Sequence, residues 1–536
     1  MTISSDTRTS KSSLNSLLLP KTHWRSIYFI TSISMMDTMR ISTVMSNSWP
    51  YISSLDADIS ENYYGLANSV FTLAAAIASL LSGWLSNKIS HTKPPIMIGQ
   101  TLAIITCIIY ANLELMPNNR RYGFFVCQVL LGLANGAIQT WRVDVAMSTT
   151  DHDRSKANSL IGFSLNIGFI LGPLVVMLLG RILSNGSISL PWGVHLSLYT
   201  APVYFMTFIS IIGLIILLIG FDGRMDKTHK DEVERSNDLK GKWAIKSSIQ
   251  LEKSPLDMEK AHLEIVPSTD VSVEEIPKIE KAKVLQFDKN AIFACIIARL
   301  CICGLILYLT SLSAPYSMTV FGWSGEQMVS YNMLIQFSTG IIGLFVCLGY
   351  SFRLLSHLDE RRCITFALIV LLLFFLFTYP WPFLNTSMPL PTFTNETLDN
   401  STQTLITQGC SPQKYSWCLS TPAINVLVYH ASLIFTLGVI LPIGNINLDG
   451  LYSRLLGPIK QGTMQGVFVA LSDIVLFIGP VIITNVYQWG GPRPVWAGMI
   501  CLFGMGIAFW IYSYERLVPK YRTVQKINKD KKKHLS

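Results

Sequence analysis

At 536 residues the chain is long enough for several soluble domains, yet half of it is apolar, only 14% is charged, and its mean hydropathy is +0.41. A soluble fold carries roughly a quarter charged residues, so most of this chain is written for lipid. The net charge of +9 is no argument for nucleic acid. The Lys and Arg residues sit between apolar runs and in the C-terminal tail, where orientation in a bilayer accounts for them.

Residues 1–23 are Ser/Thr-rich, and their one apolar run, Leu17 to Leu19, is too short for a signal peptide core. They are expected to form a cytoplasmic tail, with the first span acting as insertion signal. Six apolar stretches of helical length then follow within 24–221, at 24–49, 64–86, 95–115, 122–146, 157–180 and 199–221. Residues 222–289 are dense in Lys, Glu and Asp with few aromatics, the composition of a disordered cytoplasmic linker. Six more spans lie within 290–514, at 290–313, 328–350, 363–381, 421–446, 463–486 and 493–514, with a hydrophilic loop at 382–420. A basic tail, 515–536, closes the chain. The expected fold is an all-α polytopic membrane protein of twelve transmembrane helices in two six-helix halves. The weak ten-residue alternation of a membrane barrel is not its pattern.

With the N-terminus in the cytoplasm, the short segments on that side hold twenty-one Lys and Arg residues, Arg8 to Lys460 plus eight in the tail. The other side has five: Arg120, Arg121, Arg181, Lys414 and Arg493. That bias puts both termini in the cytoplasm. The N-x-S/T sequons Asn185, Asn385, Asn395 and Asn400 all fall on the far side, which makes them candidate glycosylation sites. Cys410 and Cys418 share the 382–420 loop, and their spacing suits a local disulfide in an oxidising lumen, the alternative being two free thiols.

Paired features recur at nearly constant offset. Trp49-Pro50-Tyr51 answers to Ala314-Pro315-Tyr316 and Glu61 to Glu326, both 265 apart; Gly83 answers to Gly349 at 266. Beyond the long loop the offset grows, Gly132 to Gly438 being 306 and Gly172-Pro173 to Gly479-Pro480 being 307. One ancestral plan was doubled, with a single insertion of about forty residues in the far-side loop of the second half, an inference from the internal symmetry.

A doubled six-helix plan with a hydrophilic linker resembles the major facilitator superfamily. Gly83-Trp84-Leu85-Ser86-Asn87-Lys88 is similar to its G-x-x-x-D-R/K gating loop, with Asn87 in place of the acid. Gly168-x-x-x-Gly172-Pro173 resembles the helix-bend motif of its antiporters, although the same residues also serve plain close packing. Gly409-Cys410-Ser411, Trp417-Cys418-Leu419-x-Thr421-Pro422, Leu451-Tyr452-Ser453-Arg454-x-Leu456-Gly457-Pro458 and Gly490-x-Pro492-Arg493 resemble the lysosomal domain-containing protein 8 family of that superfamily, implicated in a neuronal ceroid lipofuscinosis. The resemblance implies a glycoprotein of the lysosomal or late endosomal membrane that passes small anions such as chloride. Thr310 and Leu476 stand where that family carries an acid and an arginine, and the family's acidic dileucine signal lacks its acid at Ser13-Leu14.

Charged groups inside membrane helices are costly unless they face water or a partner. The resemblance implies a cavity lined by helices one, four, seven and ten, and each of these carries ionisable residues: Asp37 and Arg40; Arg142 and Asp144; Arg299; His430. Helix eleven adds Asp473. Asp37 and Arg40 are three apart, so they either neutralise each other or respond to a substrate. Arg142 is the leading candidate for an anion contact, because guanidinium presents forked donors, the alternative being an anchor at the membrane interface. His430 titrates in the right range for a lysosome, or simply bonds a neighbouring helix.

No nucleotide-binding, nucleophile-elbow or zinc signature is present, so neither enzyme activity nor a cofactor or metal is expected. The expected function is transport of a small anion or metabolite by alternating access, with protons as coupling ion. Two alternatives stay open: an anion-conducting channel on the same fold, and a non-transporting regulator acting through the linker. The expected partners are a small molecule or inorganic ion and the lipid bilayer, and no nucleic acid.

Overall fold

The computed structural model describes residues 22–56, 59, 61–116, 120–150, 152–182, 188–189, 195–197, 199–225, 288–323, 325–355, 357–384, 386–389, 409–412, 415–457 and 459–518. The four sequons and almost all of the tails and linker lie outside the described residues. Twelve helices run through the described residues: α1 Trp24–Leu55, α2 Glu61–Ile89, α3 Lys93–Ala111, α4 Arg120–Ser148, α5 Arg154–Ile182, α6 Thr200–Gly220, α7 Lys289–Val320, α8 Gly325–Ser351, α9 Glu360–Phe377, α10 Val426–Leu456, α11 Gly462–Gly490 and α12 Pro492–Tyr512. A two-stranded hairpin, β1 Ile188–Ser189 with β2 His195–Leu196, sits between α5 and α6.

Ten of these helices are long and apolar enough to cross a bilayer. The other two are α1, diluted by Ser, Thr, Asp37 and Arg40, and α9, which is 18 residues long and opens on Glu360-Arg361-Arg362. Hydropathy finds only the part of a helix that lipid touches, so several helices run beyond their expected limits. The clearest case is α10, expected at 421–446. It starts at Val426, where the Asn425 side chain accepts from the N–H groups of Leu427 and Val428, and it runs on to Leu456.

The repeat reaches down to single bonds. Arg154 Nη2 donates to the Ala146 carbonyl at 3.0 Å, and Gln461 Nε2 to the Ser453 carbonyl at 2.9 Å; donor and acceptor are each displaced by 307 positions. A π turn at Thr436–Ile440 explains why the offset rises from 306 at Gly438 to 307 beyond it, since such a turn holds one extra residue. Added Cβ atoms on Gly168 and Gly172 of α5 would strike Thr38 and Ser42 of α1, and one on Gly479 of α11 would strike Leu307 of α7, 265 positions after Ser42. Pro173 has no N–H to give the Phe169 carbonyl, and Ser42 Oγ donates to that carbonyl instead at 3.2 Å. The glycines and proline of this stretch therefore serve a close α1–α5 seam with its freed carbonyl satisfied.

The halves meet through small residues, α2 on α11 and α5 on α8. Their mutual hydrogen bonds gather at the end where α1 begins, hereafter the basal face. There Asn87 Oδ1 accepts from the Gly462 N–H at 2.8 Å, and its Nδ2 donates to Thr463 Oγ1 at 2.8 Å. Asn87 thus caps α11 from the other half, which an amide does as well as an acid. Lys88 lies over the Trp84 ring at 4.9 Å. At the repeat-equivalent place on the C-terminal half, Arg353 Nη2 donates to Asp153 Oδ1 at 2.7 Å, beside the start of α5. Desolvation raises the Asp153 pKa, but the bonds from Thr22 and His152 and the Arg353 charge outweigh it and hold the carboxyl below its ordinary value. Stability from that bond is present above the ordinary aspartate range and lost only as pH falls below it.

At the opposite face Cys410 and Cys418 are joined in a disulfide. The loop they close presses Trp417 onto Gly491 and Tyr487 at the α11–α12 turn. Beneath it, the core of the C-terminal half buries Trp496 and Trp510, whose indole N–H groups donate to Thr378 and Thr365 at 2.9 Å each.

Candidate functional site

Between the halves, toward the basal face, four helices converge on a polar floor. The last piece of α4, Trp141–Ser148, follows a break at Gln139–Thr140 and carries Arg142. Its Nη1 donates to Asp449 Oδ2 on α10. Arg299 of α7 stands on the other side of the same carboxylate, its Nη1 4.0 Å from Asp449 Oδ1. Arg299 also donates to Asn445 Oδ1 at 2.7 Å and to Ser472 Oγ at 3.3 Å. The aromatic rings of Trp141 and Phe468 lie under the two guanidiniums, at 4.6 and 5.5 Å. Asp473 of α11 is within electrostatic reach of both arginines, and among the described residues nothing hydrogen-bonds its Oδ2.

The side chains of Arg142, Arg299 and Asp449 are 13%, 13% and 20% exposed. They are largely, but not completely, covered by the four helices. Two cations and two acids balance, but among the described residues Arg142 Nε and Asp449 Oδ1 have no hydrogen-bond partner, which leaves spare capacity for a ligand. On the basal side of the Arg142–Asp449 pair is a small pocket bounded by Ala146, Arg154, Asn158, Ser453 and Gln465.

The remaining candidates are placed elsewhere. Asp37 and Arg40 pair with each other, with Arg40 fully buried in the N-terminal half. Asp144 is buried too and accepts from Ser26 and Thr92 Oγ at 3.0 Å and from Ser148 Oγ at 3.2 Å, tying α1, α3 and α4 together. His430 lies 19 positions before Asp449 on the same helix, about 28 Å away at 1.5 Å per residue. It packs on Trp323 and Phe321 near the opposite face, its Nδ1 2.7 Å from the Val426 carbonyl.

Asp449, Asn445 and Ser472 escaped the sequence reading. The expected tenth span ends at residue 446, three short of Asp449. A signal did exist, because residues 142 and 449 are 307 apart, the repeat's own offset in this region. Arg142 and Asp449 are counterparts in the two halves, joined across the axis that relates them.

Twelve helices in two matched halves around a charged floor define a polytopic membrane transporter. The chain belongs to the Major Facilitator Superfamily, whose sequence profile matches residues 17–396. Major facilitator superfamily domain-containing protein 8 of Xenopus laevis is 26% identical over 516 residues, covering 93% of this chain and 92% of that protein. Among solved structures, the proton:xylose symporter XylE superposes with a TM-score of 0.58 at 11% identity, over 92% of this chain and 96% of that one. The human organic anion transporter MFSD10 gives 0.55 at 14% identity, over 91% and 99%. At those identities the superpositions speak for the fold alone.

Proposed function

We propose that this protein is a carrier of the lysosomal or late endosomal membrane that moves a small anion, or a small metabolite bearing an anionic group, by alternating access, with the basal face in the cytoplasm. The observation that carries it is the convergence of Arg142 and Arg299, from opposite halves, on one partly exposed carboxylate. Guanidinium groups on mobile halves are suited to hold an anion in transit. The bonds at the basal face support the reading of a carrier closed on that side. The lysosomal setting follows the resemblance to the lysosomal protein 8 family, and the anionic class agrees with the description of the human MFSD10 structure.

Purified protein in liposomes, with the lumenal side at pH near 5, is to be tested for flux of chloride, phosphate, amino acids and glycerophosphodiesters. Replacing Arg142 and Arg299 together by alanine is expected to lower flux about a hundredfold, since each charged hydrogen bond contributes roughly 1.5 kcal/mol or more. Unchanged flux would remove the basis of the reading, and unitary currents without saturation would favour a channel. Orientation has its own test. Asn385, Asn395 and Asn400 changed together to Gln should remove most of a glycosidase-sensitive mobility shift, leaving only what Asn185 contributes, and a parent protein without any shift would count against the lumenal placement of the 382–420 loop.

A further inference from the structure

Asp449 lies between two guanidiniums that belong to different halves. Arg142 is on α4, whereas Arg299 and Asp449 are on α7 and α10 and travel together. Because positions 142 and 449 are repeat counterparts, their separation measures how far α4 and α10 have parted at this depth. Opening of the basal face must break the Arg142 contact, since the Ala146 pocket lies directly behind it. A buried carboxylate stripped of its partner is costly. Among the described residues, the cation paired with it in its own half is Arg299, already 4.0 Å away.

We infer that Asp449 is an exchangeable internal anion: bonded to Arg142 when the basal face is closed, it passes to Arg299 when that face opens, and there it displaces whatever anion Arg299 holds. This rests on the anion-carrier reading and deepens it. In the closed state Arg299 spends its donors on the neutral acceptors Asn445 and Ser472, which a ligand can replace. A bound anion keeps Asp449 away from Arg299 and so favours closure. Opening delivers Asp449 to Arg299 and expels the ligand. Affinity for the anion and position of the gate are then one linked equilibrium.

The test places a cysteine at Ala146, buried behind the pair, in full-length detergent-purified protein whose folding is checked by thermal unfolding. Labelling by a water-soluble maleimide, compared with protein lacking the new cysteine, reads basal opening. Sodium chloride, phosphate and acetate are the probes. In the parent, labelling should fall as the effective probe is added. Arg142→Gln, which removes the closed-state partner alone, should raise labelling about tenfold or more. Asp449→Asn removes the bond of both states, so it should abolish the anion response, and adding Arg142→Gln or Arg299→Gln to it should no longer shift labelling. Arg299→Gln should lower labelling, because Asp449 then has only Arg142 to bond; a purely structural lock gives no such fall.

The exchange Arg142→Asp with Asp449→Arg rebuilds the pair across the axis and should close the gate again. Its anion response should reverse, since an anion bridging Arg299 and the new guanidinium would release the acid on α4. Parent-like labelling in Arg142→Gln, or labelling raised by Arg299→Gln, overturns the inference. If no probe acts on the parent while the substitutions still shift labelling in the stated directions, partner exchange stands and the anion reading fails.

Discussion

Gly491→Ala is expected to destabilise the C-terminal half by about 3 kcal/mol or more, from two costs of roughly 1–3 kcal/mol each. Gly491 joins α11 to α12 at φ 72° and ψ −157°, a region open in practice to glycine alone. A Cβ there would also stand 2.5 Å from Trp417, which is buried and held in place by the Cys410–Cys418 loop. The indole has nowhere to retreat, because Tyr415 and Tyr487 pack against its ring. Thermal unfolding of purified protein, with a check of expression level, reads the effect. An unchanged midpoint would mean that neither the turn nor the disulfide loop is held as the structure shows.

The second large effect is one of conformation rather than folding. Gly83→Ala should disfavour the basal-closed state by about 2 kcal/mol, roughly thirtyfold in population, while leaving each half folded. The added Cβ would lie 2.5 Å from the Gly462 carbonyl and 3.2 Å from Gly466 Cα, both in the other half. Backbone cannot step aside as a side chain tip can, so α2 and α11 must part. One turn on, Asn87 would lose its bonds to Gly462 and Thr463. Cysteines introduced at Asn87 and Thr463 should cross-link readily in the parent and poorly with Gly83→Ala. Equal cross-linking in both would show that the contact tolerates a methyl group. Gly132 and Gly136 provide the contrast, since their Cβ atoms would strike Phe71 and Ala75 of their own half and thereby impair folding itself.

Much of this was legible in one dimension. The repeat offsets are properties of the chain, and the structure extends them to bonds as specific as those of Arg154 and Gln461. Charges in apolar helices named Arg142 and Arg299, which do meet. The same rule also named Asp37, Arg40, Asp144 and His430, because cost in lipid does not say where the compensating partner lies. For Asp144 the partners were hydroxyls of Ser26, Thr92 and Ser148, too common to stand out in a sequence. Asp449 was hidden by the opposite problem. It lies where a helix leaves the apolar zone, and there an acid looks like the beginning of a loop.

The amino-acid sequence alone determined a doubled bundle of membrane helices, because hydrocarbon admits no unsatisfied backbone and the period of apolar residues follows from that. Which charges share a site, which merely satisfy one another inside a half, and at which end of the bundle the halves are bonded together were decided only in three dimensions. Hydrogen bonds and ion pairs reach a few ångströms, and 307 positions of chain separate the two residues that matter most here.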